Sequence, residues 1–106
     1  MRTPQKIVRH MLSVARRELG VKTYAELWDF IAKAEHSIER KLAIPRTSVT
    51  LSPYKDSRWA ASCVADDPRP GVCRWIEIAT TFEEIADNRT ALAKRISVRL
   101  NTPARV

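Results

Sequence analysis

The sequence predicts an α+β fold of order α-α-β-β-β-α, with the helices packed on one face of a three-stranded antiparallel meander. Three observations predict it. Apolar residues recur every three or four positions over 3–19, 24–42 and 82–100; the period falls to two between 46 and 80; and each change of period carries a capping or breaking residue.

The first helix is expected from about Thr3 to Leu19. Ile7, Val8, Met11, Leu12, Val14, Ala15 and Leu19 form its apolar stripe, and Lys6, Arg9, His10, Ser13, Arg16 and Arg17 fall on the other face. Gly20 stops it, as glycine does just past a helix C-terminus. Thr23-Tyr-Ala-Glu26 fits a capping box, in which hydroxyl and carboxylate each satisfy an orphaned backbone N–H. The second helix then buries Tyr24, Leu27, Trp28, Ile31, Ala34, Ile38 and Leu42, and ends before Pro45. The short link between the two helices predicts a hairpin or a crossed pair.

Strands are expected over Arg46–Leu51, Arg58–Ala65 and Val72–Ala79. The turn Ser52–Ser57 and the loop Asp66–Gly71 separate them. Thr81-Phe-Glu-Glu84 is a second capping-box pattern. One helix is expected to follow it as far as Leu100, burying Phe82, Ile85, Ala86, Leu92, Ala93, Ile96 and Leu100.

The 106 residues make one domain, 1–106, large enough to bury a core without disulfide or metal staples. No segment reads as a membrane span or a signal-peptide core, so a cytoplasmic location is expected. Positive charge is unevenly placed. Residues 1–22 have a net charge of +5 and residues 88–106 another +5, while the segment between them is −3, for a total of +7. Such an arrangement points to an anionic partner, most often nucleic acid. Thirteen arginines stand against six lysines; guanidinium groups fork and stack on phosphates and bases, although a GC-rich genome produces the same bias.

No arrangement in the sequence specifies a reaction, a cofactor or a metal. Cys63 and Cys73 flank the Asp66–Gly71 loop and lack the histidine partners of a zinc site. If paired positions sum to 136, the two cysteines lie directly opposite. If they sum to 137, Cys63 faces the core with Trp59, Ile76 and Ile78, and Cys73 lies beside Trp75 on the other face. A cytosolic setting favours two reduced, packed thiols. His10 lies on the basic helix face, and His36 falls toward solvent. Asp66-Asp67 reads as turn chemistry. Trp75 with Arg58 on an open sheet face would make a base-stacking platform with a phosphate clamp. Three helices available to cover one sheet favour instead a buried Trp75, with Trp28 and Trp59 in the core.

The run Glu18-Leu-Gly-Val-Lys-Thr-Tyr-Ala-Glu-Leu27, with Ile44-Pro45 after it, resembles the opening of phage-repressor helix-turn-helix domains. The tight-turn glycine of those domains has no counterpart near Ile31, so a continuous second helix is expected. The order α-β-β-β-α over 23–100 is similar to the double-stranded-RNA-binding domain, whose last helix begins with basic residues where this one begins Phe82-Glu-Glu. Small ribosome-dependent RNase toxins also pair helices with an antiparallel sheet, after an N-terminal strand that is not expected here.

The function expected is a small basic non-enzymatic nucleic-acid-binding protein, a regulator of the kind carried by phages and plasmids. It would neutralise phosphates with Arg2, Lys6, Arg9, Arg16 and Arg17 from the first helix and Lys94, Arg95 and Arg99 from the last. An alternative is a mobile-element inhibitor, resembling anti-CRISPR proteins, that binds an acidic protein or a nucleoprotein complex. A third is a basic endoribonuclease toxin using Tyr54, Arg58 and Arg74. An exposed strand edge or Trp-bearing patch would suit a homodimer.

Overall fold

The computed structural model describes residues 5–53, 58–67 and 69–101, without the side chains of residues 5–8, 18 and 19. Its elements are α1 (Gln5–Leu19), α2 (Tyr24–Leu42), β1 (Ser48–Pro53), β2 (Arg58–Asp66), β3 (Cys73–Thr81), α3 (Phe82–Asp87) and α4 (Arg89–Asn101). The three strands form one antiparallel sheet of order β1-β2-β3. The α+β class and the element order are as expected, with one exception. The last helix is two helices, broken at Asn88, whose φ of −143° and ψ of 50° lie outside the helical region. Asparagine favours such breaks because its side chain competes for backbone hydrogen bonds.

Local chemistry explains the joints. Gly20, at φ 70°, lets the Val21 N–H reach back to the Ala15 carbonyl and close α1, a bond that needs the left-handed conformation. Thr23 completes its capping box: its hydroxyl accepts from the Glu26 N–H, and the Glu26 carboxylate accepts from the Thr23 N–H. Helix α2 runs unbroken to the αL residue Ala43, so no helix-turn-helix forms. The second capping box is only half made. Thr81 Oγ1 accepts from the Glu84 N–H, but the Glu84 carboxylate turns to Thr80 and Arg95.

The helices cover one face of the sheet. Met11, Leu12 and Ala15 of α1, Leu27, Ile31, Ala34 and Ile38 of α2, and Leu92, Ala93, Ile96 and Leu100 of α4 join the inward residues Val49, Leu51, Trp59, Ala61, Cys63 and Ala65. Trp59 sits at the centre of an aromatic group with Trp28 and Phe82, and its indole N–H donates to Met11 Sδ at 3.0 Å, fastening α1 to the end of β2. Apolar packing of this kind, and not helix propensity, holds the layers together.

Neither expected strand register holds. Trp59 pairs with Thr80, Cys63 with Ile76 and Val64 with Trp75, so paired positions sum to 139. The turn decides this: Asp67 donates its N–H to the Val72 carbonyl, closing a four-residue loop with Gly71 at φ 75°. Cys63 does face the core, and Cys73 lies on the other face beside Trp75, opposite Asp66. Both thiols are free, and Cys73 is exposed instead of packed.

Candidate functional site

Three surfaces carry the residues expected to act: the outer face of α1, the open face of the sheet, and the outer face of α4. On α1, Arg9, His10, Ser13, Arg16 and Arg17 are all exposed, opposite the buried Met11, Leu12 and Ala15. Arg16 Nε donates to the Lys22 carbonyl at 2.8 Å, holding its guanidinium at the α1–α2 junction. At 1.5 Å of rise per residue, Arg9 and Arg16 stand about 10 Å apart along the helix. Lys6 lies within α1 but its side chain is outside the description, and Arg2 lies outside the described residues.

The α1–α2 junction also carries two aromatic side chains that the sequence assigned to the core. Tyr24 is 42% and Trp28 41% exposed. The reason is angular. Trp28 follows buried Leu27 and so lies about 100° round the helix from it, at the flank of the stripe. Trp28 meets Trp59 edge-on, with ring centroids 6.3 Å apart, which fixes its ring while leaving part of it to solvent. The Glu26 carboxylate, at the start of α2, accepts from the Lys22 and Thr23 amides.

The open sheet face corrects the expectation of a buried Trp75. No helix covers it, and Trp75 is 62% exposed beside Val64, its Cα partner on β2. Arg58, however, lies opposite Thr81, six residues along β2 from Val64, or about 20 Å. Arg58 therefore gives Trp75 no phosphate clamp. Nearer charges on this face are acidic or paired: Glu77 accepts from Ser62 Oγ, and Asp66 meets Arg46 at 3.5 Å.

On α4, Lys94 and Arg99 are exposed, with no acidic partner among the described residues. Arg95 is different. Its guanidinium bonds Glu84 Oε1 and the Ala79 carbonyl, so it ties α3 and α4 to β3 and offers little free charge. Arg74 is likewise an anchor. It donates to the Leu100 and Asp66 carbonyls and lies 3.9 Å from Asp67, while its Nε is buried without a hydrogen-bond partner. Arg74 pairs with Ala65, about 23 Å along the strand from Arg58, and Tyr54 lies outside the described residues. The structure does not bring Arg58 and Arg74 into one site.

Among the described residues three groups are moved from their ordinary range: Cys63, Asp67 and its partner Arg69, which the side-chain hydrogen bond to Asp67 raises. Burial, followed by the nearby Glu39 charge, pushes the Cys63 thiol up, with Arg74 opposing. Asp67 is held below the usual carboxylate range chiefly by the side-chain hydrogen bond from Arg69, then by the Arg69 N–H. Asp67 is thus a turn residue, as its loop position predicts. Among the described residues no three His, Cys, Asp or Glu side chains come together as a metal site, and no helix is long and apolar enough to cross a membrane.

The architecture is a two-layer α+β sandwich with one sheet face open. The chain matches no family model, no curated protein and no solved structure.

Proposed function

We propose that this protein is a non-enzymatic nucleic-acid-binding protein whose principal contact is the outer face of α1. One observation carries the reading: Arg9, Arg16 and Arg17 are exposed on the outer side of α1, and Arg16 is tied to the Lys22 carbonyl just ahead of α2, whose first two turns carry the half-exposed aromatics Tyr24 and Trp28. Guanidinium groups neutralise phosphates, and an aromatic ring held in place by a neighbour accepts a base by stacking without strong sequence preference. That pairing favours single-stranded or unstacked nucleic acid over a continuous duplex. Lys94 and Arg99 supply a second, weaker basic surface on α4. Arg95 and the Trp75–Arg58 pair drop out of the contact set, for the reasons of geometry given above.

Fluorescence anisotropy of labelled single- and double-stranded DNA and RNA tests this. Binding to a single strand should be tightest, should weaken between about 50 and 200 mM salt, and should be lost in Arg9→Glu/Arg16→Glu. Trp28→Ala should weaken single-strand binding by about 1–3 kcal/mol and leave duplex binding nearly unchanged. Absence of binding to all four would refute the reading.

A further inference from the structure

The sheet has two edges, and the protein treats them differently. On β1 the outward N–H groups of Val49 and Leu51 are taken by carboxylates of α2, Glu39 Oε1 at 3.2 Å and Glu35 Oε2 at 2.7 Å. Those two acids stand one helical turn apart and close the edge against another strand. On β3 the Asp67-to-Val72 bond and the Arg95 bond to the Ala79 carbonyl establish the phase: even-numbered residues pair with β2, and Cys73, Trp75, Glu77 and Ala79 point their backbone groups outward. Apart from the Ala79 carbonyl, those outward groups have no partner among the described residues.

A groove of about 530 Å³ runs beside this edge, between β3 and α4. Ile78, Ala91 and Val98 make its floor, and Lys94, Arg95 and Arg99 its rim. The helix layer leaves β3 incompletely covered here, since Arg74, Ile76 and Ile78 are only half-buried on the inward face. A strand edge lying next to an apolar groove under a helix is the arrangement by which a sheet gains a strand from another chain.

We propose that the β3 edge and the β3–α4 groove receive an extended acidic segment of a partner protein as a fourth strand. Charge selects the occupant. Lys94 and Arg99 have no acidic partner among the described residues, whereas Arg95 already has Glu84. A second copy pairing β3 with β3 about a two-fold axis would set the two α4 helices, and both sets of cations, side by side. Nucleic acid has no backbone N–H and C=O ladder to match the edge. In the added strand, side chains alternate between the two faces. Those facing α4 would lay an apolar stem over Ile78 and Val98 and a carboxylate near Lys94 or Arg99, which suits glutamate. Those on the other side would pack beside Trp75, where an apolar residue is favoured and Glu77 disfavours an acid.

The test uses a fluorescein-labelled nine-residue peptide of alternating Glu and Val, a Lys/Val counterpart, and ¹⁵N-labelled protein. Glu77→Pro removes an outward N–H that pairs with nothing on β2, so the fold should survive it. Lys94→Glu/Arg99→Glu alters exposed positions, and the melting temperature of each variant verifies folding. The Glu/Val peptide should bind and shift the amides of Trp75, Glu77, Ala79 and Val98. Affinity should fall at least about tenfold in either variant, and the Lys/Val peptide should not bind. Arg9→Glu/Arg16→Glu should leave peptide binding intact, which separates this site from the proposed nucleic-acid face. The inference is overturned by equal binding of the Lys/Val peptide, by binding insensitive to Glu77→Pro, or by no binding up to about 1 mM. It is also overturned if sedimentation shows a dimer that Glu77→Pro dissolves, which would put a second copy on the edge.

Discussion

Replacing Glu35 by alanine probes how the β1 edge is closed. The Leu51 N–H donates to Glu35 Oε2 at 2.7 Å, and the Leu51 side chain is 4% exposed beneath the helices. Truncation leaves that amide without its acceptor. A stranded buried donor costs about 1–3 kcal/mol, and because Glu35 is only half-buried, water recovers part of this. The expected loss is about 1–2 kcal/mol, or roughly 5–10 °C in melting temperature for a domain of this size. Glu35→Gln keeps an acceptor oxygen and should cost less than about 1 kcal/mol. Glu35→Ala/Glu39→Ala opens two outward amides and should promote association through β1. Urea unfolding followed by tryptophan fluorescence gives the stability, and sedimentation velocity gives the association state. An alanine variant within about 0.3 kcal/mol of the parent, or a glutamine variant as damaged as alanine, would refute the reasoning.

Other expectations come from single residues. Trp59→Ala removes the side chain joining Met11, Trp28 and Phe82 and should cost about 3–5 kcal/mol, measured by the same urea series, with Trp59→Phe much milder. Ala43 caps α2 at φ 54°, a conformation that costs a non-glycine residue roughly 1 kcal/mol, so Ala43→Gly should raise stability by a comparable amount despite glycine's greater unfolded entropy. A thiol reagent should label Cys73 in the folded protein and reach Cys63 only on unfolding. The Cys63 thiol is raised by folding, so its contribution to stability is complete below the unfolded value of about 8.5 and is lost as pH climbs through the folded value. Urea midpoints for the parent and Cys63→Ala between pH 7 and 10 should converge at the alkaline end.

Local signals and the fold agree where the chemistry is local. Gly20, the Thr23–Glu26 box and the alternating burial of β1 and β2 are each settled within a few residues, and all were legible in the sequence. The β2–β3 register was not, because it hangs on which four residues form the turn, and Asp66–Gly71 contains more than one choice. The break at Asn88 was hidden because the apolar spacing continues across it from Phe82 to Leu100. At the candidate sites, the exposure of the α1 basic face was legible from the helical period. The engagement of Arg95 with Glu84 and Ala79, the anchoring of Arg74 on Leu100, and the edge bonds of Glu35 and Glu39 were not. Their partners lie 10 to 26 residues away, beyond any spacing rule. Trp75 is exposed because α2 and α4 share one sheet face and α1 packs at its Trp59 end, an arrangement that counting helices does not reveal.

The most direct measurement of the central claim is the salt dependence of single-strand binding by the parent and by Arg9→Glu/Arg16→Glu. With Arg9, Arg16 and Arg17 each meeting one phosphate, log Kd against log salt should have a slope of about 2 for a single strand, at about 0.7 per contact. The variant should bind too weakly for a slope to be drawn, or lose nearly all of it. Equal slopes and equal affinity in the two proteins would contradict the assignment of α1 as the nucleic-acid face.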